Sequence, residues 1–145
     1  MKIKTFRGKL ANGSQTEIRL GTNNGLTGYR ILKLQLFPDQ PGTSTVENVV
    51  QLFTTKRSTT IPTSAATVTF DDPTLLGAAF YNGEAAGEYY LNVVFDSVKF
   101  NQDIFITHTN NQSAASVNYY LELEQIKLDI NEATVATLKD MRGRE

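Results

Sequence analysis

Apolar and polar residues alternate along most of this chain, and turn-forming residues separate the alternating segments. The clearest case runs from Tyr29 to Phe37, where Lys33 and Gln35 point one way and three leucines the other: Leu32, Leu34 and Leu36. A two-residue period is that of a strand with one buried face. The pattern predicts strands at Met1–Leu10, Thr16–Leu20, Tyr29–Phe37, Val46–Thr55, Ala66–Phe70, Leu75–Tyr81, Glu88–Phe95, Val98–Thr109 and Val117–Leu128.

Short strands at this spacing are typical of an all-β domain. We predict one antiparallel β-sandwich of about eight strands spanning residues 1–145, with the topology of a single jelly roll or a related Greek key. The apolar positions of the alternating segments should form its core. The residues expected to be buried are Leu34, Leu36, Leu91, Val93, Leu121 and Leu123.

The last predicted strand changes its apolar side partway along. The odd positions of 117–123 are apolar, whereas Ile126 and Leu128 lie on the side that carries Glu122 and Glu124. A β-bulge, or a change of packing partner, near Glu124 would produce this shift.

The C-terminal segment Asn131–Arg142 predicts one short helix. Asn131 is a favourable N-cap, Glu132 suits the positive end of the helix dipole, and Ile130 and Val135 are spaced for a hydrophobic staple. An apolar stripe follows the helix, formed by Val135, Leu138 and Met141. Because about twelve residues are marginal as an isolated helix, we expect this helix to dock on its own sandwich or on a neighbouring subunit.

Composition narrows the classes of partner. The 145 residues include 14 Lys+Arg and 15 Asp+Glu, a net charge of −1, so no basic face is expected for nucleic acid. No segment approaches the ~20 apolar residues of a membrane helix, and the N-terminal residues MKIKTFRGKL do not form a signal peptide. The absence of Cys excludes disulfides, thiolate metal sites and Cys nucleophiles.

Few residues could support catalysis. His108 is the only histidine, and Asp103 and Ser113 are its candidate partners in a Ser-His-Asp arrangement, yet no G-x-S-x-G elbow is present. Glu122 and Glu124 share one strand face, but glycoside hydrolysis would need a further carboxylate facing them. We therefore predict that the protein is not an enzyme and has no catalytic residues.

Metal and cofactor sites are not predicted either. Asp39 and the pair Asp71-Asp72 lie in turns beside proline, without the D-x-D-x-D-G spacing of a calcium loop. Gly21 and Gly25 lack the Lys-Ser/Thr pair of a phosphate-binding loop.

Two tyrosine pairs indicate exposed aromatic residues. In Tyr89-Tyr90 and Tyr119-Tyr120 one ring falls on each side of the strand, so Tyr90 and Tyr120 are expected to face solvent. Exposed tyrosines suit protein contacts or carbohydrate stacking. Together with the helix stripe they form the predicted interaction surface: Tyr90, Tyr120, Val135, Leu138 and Met141.

The segment Asp103–Arg142 resembles the C-terminal region of small virion proteins of marine tailless bacteriophages. The shared pattern is a D-I-aromatic-I-x-H strand, a polar loop, an N-Y-Y-x-L-E-x-E strand and an L-x-x-N-E-x-T-V-A-T-L helix, over about the last quarter to third of the chain. The resemblance implies a jelly-roll capsid protein of the penton or vertex kind. Such a protein would be made in the host cytoplasm, reside in the virion, and assemble with identical copies (five is the expected number) and with other capsid proteins.

A second class of function is also compatible with these residues. A carbohydrate-binding or adhesin-like β-sandwich would be favoured if Tyr90, Tyr120 and neighbouring polar residues formed one exposed platform. Neither function requires a cofactor, and neither implies binding to nucleic acid or direct insertion into a membrane.

Overall fold

The computed structural model describes residues 2–21, 26–42, 45–57, 60–64, 66–83 and 89–142, with the backbone alone for 139–142. The elements are β1 (Lys2–Leu10), β2 (Gln15–Ile18), β3 (Thr27–Pro38), β4 (Val46–Phe53), β5 (Leu75–Gly83), β6 (Tyr89–Phe95), β7 (Ile104–Asn110), β8 (Val117–Lys127) and α1 (Ile130–Arg142). The strands form two antiparallel sheets, in the orders β1-β8-β3 and β2-β7-β4-β5-β6. The predicted all-β sandwich of about eight strands with one C-terminal helix is confirmed.

The strand order is that of a jelly roll at every pair but one. In an eight-stranded jelly roll the sixth strand would pair with the third, whereas β6 pairs with β5 and extends the second sheet. As a result, β3 and β6 are both edge strands of the described chain, and β3 lies beside β5 and β6 of the facing sheet.

The inward faces of the two sheets meet in one apolar core. Among the residues predicted to be buried, four are confirmed: Leu34, Leu36, Leu121 and Leu123. Val93 is only half-buried, and the prediction for Leu91 is wrong, since 43% of it is exposed. Both belong to β6, whose position at the sheet edge leaves its inward side chains only partly covered.

The irregularity expected near Glu124 lies in the neighbouring strand. The register of β3 against β8 shifts between Ile31 and Lys33, while β1 pairs with β8 without a break. Leu32 is therefore the extra residue of a β-bulge, and it is half-buried instead of pointing fully into the core as predicted. Leu128 is buried only after β8 has ended.

The predicted strand Ala66–Phe70 is wrong. This segment belongs to an irregular connection between β4 and β5 that is held by side chains of the sheet. Thr109 Oγ1 donates a hydrogen bond to the Pro62 carbonyl (2.7 Å), and Gln51 Nε2 donates to the Thr67 carbonyl (3.4 Å). The alternation of Val68 and Phe70 thus does not mark a paired strand.

The predicted strand Val98–Thr109 begins too early. The strand itself starts at Ile104, and before it Phe100 makes an isolated bridge with Tyr29 through two backbone hydrogen bonds of 2.8 and 2.9 Å. This path carries Asn101 toward α1, where its side chain bonds to the helix.

The helix begins earlier than predicted, at Ile130. Asp129 is the N-cap, since its Oδ1 accepts a hydrogen bond from the Glu132 amide (2.7 Å) and its carbonyl accepts one from the Ala133 amide (2.9 Å). The prediction of Asn131 as the cap is therefore wrong. Because Ile130 is already inside the helix, it does not precede the cap as a staple with Val135 would require.

Candidate interaction surfaces

The helix α1 docks on the sandwich through its small side chains. Ala133 and Ala136 are buried. Asn101, itself buried, donates from Nδ2 to the Ala133 carbonyl (3.4 Å) and to Thr137 Oγ1 (3.0 Å). These contacts determine which face of the helix meets its own chain.

The larger apolar side chains of α1 face outward. Val135 is 53% exposed and Leu138 is 48% exposed, and Ile130 at the start of the helix is more exposed still. Val135 and Leu138 therefore do not dock on their own sandwich, which was one of the two contacts expected for this stripe. The other, contact with a neighbouring subunit, stays a prediction. The side chain of Met141 lies outside the described residues.

The two predicted tyrosines do not form one platform. Tyr90 is 57% exposed on β6, in the five-stranded sheet. Tyr120 is half-buried on β8, in the three-stranded sheet, where it stands opposite Arg7 on one side and Gln35 on the other. The structure therefore assigns them to separate surfaces.

Tyr120 lines a groove on the three-stranded sheet. The groove has a volume of about 770 Å³ and is lined by amide, cationic and aromatic residues. Its side chains include Arg7, Lys9, Gln35, Phe37, Asn118 and Tyr120. Phe37, which is 64% exposed, was not among the predicted residues. Its alternation with the outward Lys33 and Gln35 was the signal that could have revealed it.

His108 is a buried structural residue. Its Nδ1 lies 3.1 Å from the Ala11 carbonyl and its Nε2 lies 2.8 Å from Asn48 Oδ1. Burial lowers the pKa of the imidazole below its ordinary value, against the opposing effect of the hydrogen bonds that the ring makes to the backbone of Ala11 and Leu10. The ring is held by a partner at each nitrogen and is completely inaccessible to solvent.

The expected partners of His108 are engaged elsewhere. Asp103 Oδ1 accepts a hydrogen bond from the Leu20 amide (2.8 Å). Ser113 Oγ accepts from Asn110 Nδ2 (3.1 Å). The structure thus does not bring Asp103, Ser113 and His108 together as a hydrolytic triad.

A network of asparagines surrounds this end of the sandwich. Asn110 Oδ1 accepts hydrogen bonds from the backbone amides of Glu47, Gln112 and Ser113, at 3.1 to 3.2 Å. The backbone amide of Asn110 in turn donates a hydrogen bond to Asn12 Oδ1 (2.8 Å). Periodicity places Asn110 on the buried side of its strand, but no local signal in the sequence identifies its partners.

Two of the three carboxylates considered for calcium, Asp39 and Asp72, are paired with cations. Asp39 lies 2.6 Å from Lys9 Nζ, and Asp72 lies 2.9 Å from Arg57 Nη1. Burial raises the pKa of Asp72, but hydrogen bonds from Thr74 and the Arg57 guanidinium outweigh it, and the pKa lies below its ordinary value. Within the described residues, His, Asp and Glu do not gather into groups of three that could hold a metal ion.

Glu122 and Glu124 occupy the outward face of β8, where both are half-buried. Glu124 forms an ion pair with Arg30 of the adjacent β3. This places Glu124 in a cross-strand contact that stabilises the sheet.

The fold and these surfaces define the molecule as an all-β sandwich with exposed apolar and aromatic side chains. No protein-family model matches the chain, and comparison with curated proteins gives no match. In the part of the chain that the structure describes, no helix has the length and apolar character needed to cross a bilayer.

Proposed function

We propose that this chain is a structural virion protein of the penton or vertex kind, which assembles with identical copies and with other capsid proteins. The resemblance of Asp103–Arg142 to small phage virion proteins supports this function. That segment comprises β7, a polar loop, β8 and α1 in sequence. The observation that carries the proposal is the orientation of α1.

A helix that served only its own sandwich would turn its largest apolar side chains inward. Full burial of a Val or Leu side chain is worth about 1.5–3 kcal/mol, yet α1 buries Ala133 and Ala136 and exposes Val135 and Leu138. Contact with another subunit would recover this stabilisation. The orientation of α1 therefore favours a protein whose C-terminal helix is completed by a neighbour.

The proposed role is non-catalytic and needs no cofactor. The side chain best suited to proton transfer near pH 7 is His108, which is enclosed between Ala11 and Asn48. Asp72, whose pKa is shifted, is bonded to Arg57 and Thr74. Both groups act in packing and turn geometry, which supports a structural role.

Light scattering and electron microscopy of the purified protein test the proposal. We expect closed rings, with five copies as the predicted number. The double variant Val135→Lys/Leu138→Lys should disrupt them while each chain keeps the wild-type circular dichroism spectrum, because both side chains are exposed in the single chain. Val68→Lys, at an exposed position of the β4–β5 connection, is the matched control and should leave the rings intact.

Two results would contradict this function. One is a wild-type protein that stays monomeric at tens of micromolar and does not assemble with capsid proteins. The other is a ring that survives the α1 double variant unchanged, since the contact would then lie elsewhere.

The Tyr120 groove favours a second candidate, a carbohydrate-binding or adhesin-like module. Phe37 and Tyr120 offer rings for stacking, while Gln35, Asn118 and Arg7 offer hydrogen bonds at the same groove. A glycan array should then show binding that Tyr120→Ala and Phe37→Ala abolish. The α1 double variant should bind like wild type, which separates this function from the first.

A further inference from the structure

The outer edge of β6 carries no strand among the described residues. Its sequence, YYLNVVF, contains neither a charged residue nor a proline. Tyr90, Leu91 and Val94 are 57%, 43% and 53% exposed, so apolar side chains project from both faces of the strand. A long, uncharged apolar edge of this kind is a template for pairing with another strand.

The other described edges are protected by charge or by shortness. β1 carries four cations, Lys2, Lys4, Arg7 and Lys9, and β3 carries Arg30 and Lys33. β2 has only four residues, one of them Glu17. Lysines and short strands are the usual means of preventing edge pairing, and β6 uses neither.

We infer that β6 pairs with the β6 strand of a second copy, antiparallel, across a two-fold axis at Asn92. In an antiparallel pair, residues directly opposite each other point to the same face. This register joins Asn92 to Asn92 and apolar residues to apolar ones: Tyr89 to Phe95, Tyr90 to Val94, and Leu91 to Val93.

The symmetry of this pattern points to an identical strand as the occupant. A copy of β6 brings no charge to the axis, matches each apolar residue with another, and sets amide against amide at the centre. The same pairing would join two five-stranded sheets into one sheet of ten. The inference takes the self-assembly in the proposed function as its starting point and identifies one of the contacts.

The departure from jelly-roll order explains why this edge is available. Because β6 pairs with β5 and not with β3, its inward residues Leu91 and Val93 are only partly covered by the facing sheet. A neighbouring copy at the edge would shield them.

Disulfide trapping tests the register directly, since the chain has no native Cys. Asn92→Cys should form a disulfide-linked dimer under mild oxidation, because the two copies of residue 92 face each other. Val94→Cys is the matched control on the same strand and the same face. Its sulfur would face Tyr90 and lie roughly 13 Å along the strand from its symmetry mate, beyond the reach of a disulfide. Failure of Asn92→Cys to cross-link, or equal cross-linking of both variants, would overturn the inference.

Charged substitutions at Asn92, on the proposed two-fold axis, provide a second test that needs no covalent bond. Asn92→Lys and Asn92→Asp should each lower the mass of the assembly twofold, since like charges would meet at the axis, and mixing the two should restore the wild-type mass. Asn92 is exposed, so both variants should fold with the wild-type circular dichroism spectrum. A wild-type mass in either single variant would overturn the proposed axis.

These results separate the inference from the proposed function. If rings form but Asn92→Cys does not cross-link, the β6 contact is wrong and the virion role stands. If Asn92→Cys cross-links while no ring forms and the α1 double variant has no effect, the β6 contact stands and the virion role is wrong.

Discussion

The imidazole of His108 lies inside the sandwich, between a backbone carbonyl and the Asn48 amide. Burial holds its pKa below the ordinary value of 6.5, which the unfolded chain retains. As pH falls through 6.5, the unfolded state therefore gains a proton that the folded state resists, and the free energy of unfolding decreases. This stabilisation is fully present above 6.5 and is lost progressively below it.

We expect urea unfolding to show this pH dependence between about pH 7.5 and pH 5, at about 1.4 kcal/mol for each unit by which the folded pKa is lowered. His108→Asn, which cannot titrate, should be less stable than wild type at neutral pH but should lose less stability over the same interval. An identical slope in the two proteins would show that another group is responsible.

Leu121 and Leu91 provide a test of burial at single residues. Leu121 is completely buried, so Leu121→Ala should lower the free energy of unfolding by about 2–5 kcal/mol. Leu91→Ala should have a much smaller effect, because that side chain is partly exposed at the sheet edge. Urea titrations of both variants in the Asn92→Lys background, where the proposed β6 contact is broken, measure the difference in the single chain, and equal losses there would mean that the chain covers Leu91 by itself.

At the scale of the element, Asp129 determines where α1 begins. Asp129→Ala should destabilise the protein by about 0.5–2 kcal/mol, since the Glu132 amide would lose its capping oxygen. Asn131→Ala is the control, because Asn131 is exposed inside the first turn and not at the cap. Thermal unfolding distinguishes them, and a larger effect at Asn131 would place the cap there.

Periodicity revealed the elements because it reports which residues share a face. It could not report whether that face is covered: Leu91 and Leu121 occupy equivalent alternating positions, but only Leu121 lies in a strand paired on both sides. The same limit applies to α1, where Val135 and Leu138 had the spacing of a docking stripe and the smaller alanines dock instead.

Contacts between distant residues were outside the reach of local patterns. The bulge at Leu32 is a property of how β3 pairs with β8, and the bond between His108 and Asn48 joins residues sixty positions apart. Of the two tyrosines predicted to face solvent, Tyr90 is exposed, whereas Tyr120 is half-buried. The separation of Tyr90 from Tyr120 depends on sheet order, which the alternation of residues does not contain.

At the scale of the whole molecule, the protection of backbone amides from hydrogen exchange should depend on where each strand lies in its sheet. β8 pairs on both sides and its inward residues Val117, Leu121 and Leu123 are completely buried, whereas β2 is a four-residue edge strand. We expect the amides of β8 to exchange hydrogen most slowly and those of β2 to be among the fastest. Exchange mass spectrometry measures this order, and equal rates in β2 and β8 would contradict it.

The central place of β8 in the first sheet also has a consequence for biosynthesis. β1 and β3 both pair with β8 alone in that sheet, and β8 is the last of the described strands along the sequence. At translation rates of 5–20 residues per second, β1 waits roughly 5–20 s after its synthesis before its partner has been made. During that interval its four cations, Lys2, Lys4, Arg7 and Lys9, should disfavour pairing of β1 with the strand of another chain. The sandwich can close only after translation has passed β8, so a stop codon that removed this strand would leave two earlier strands without a partner.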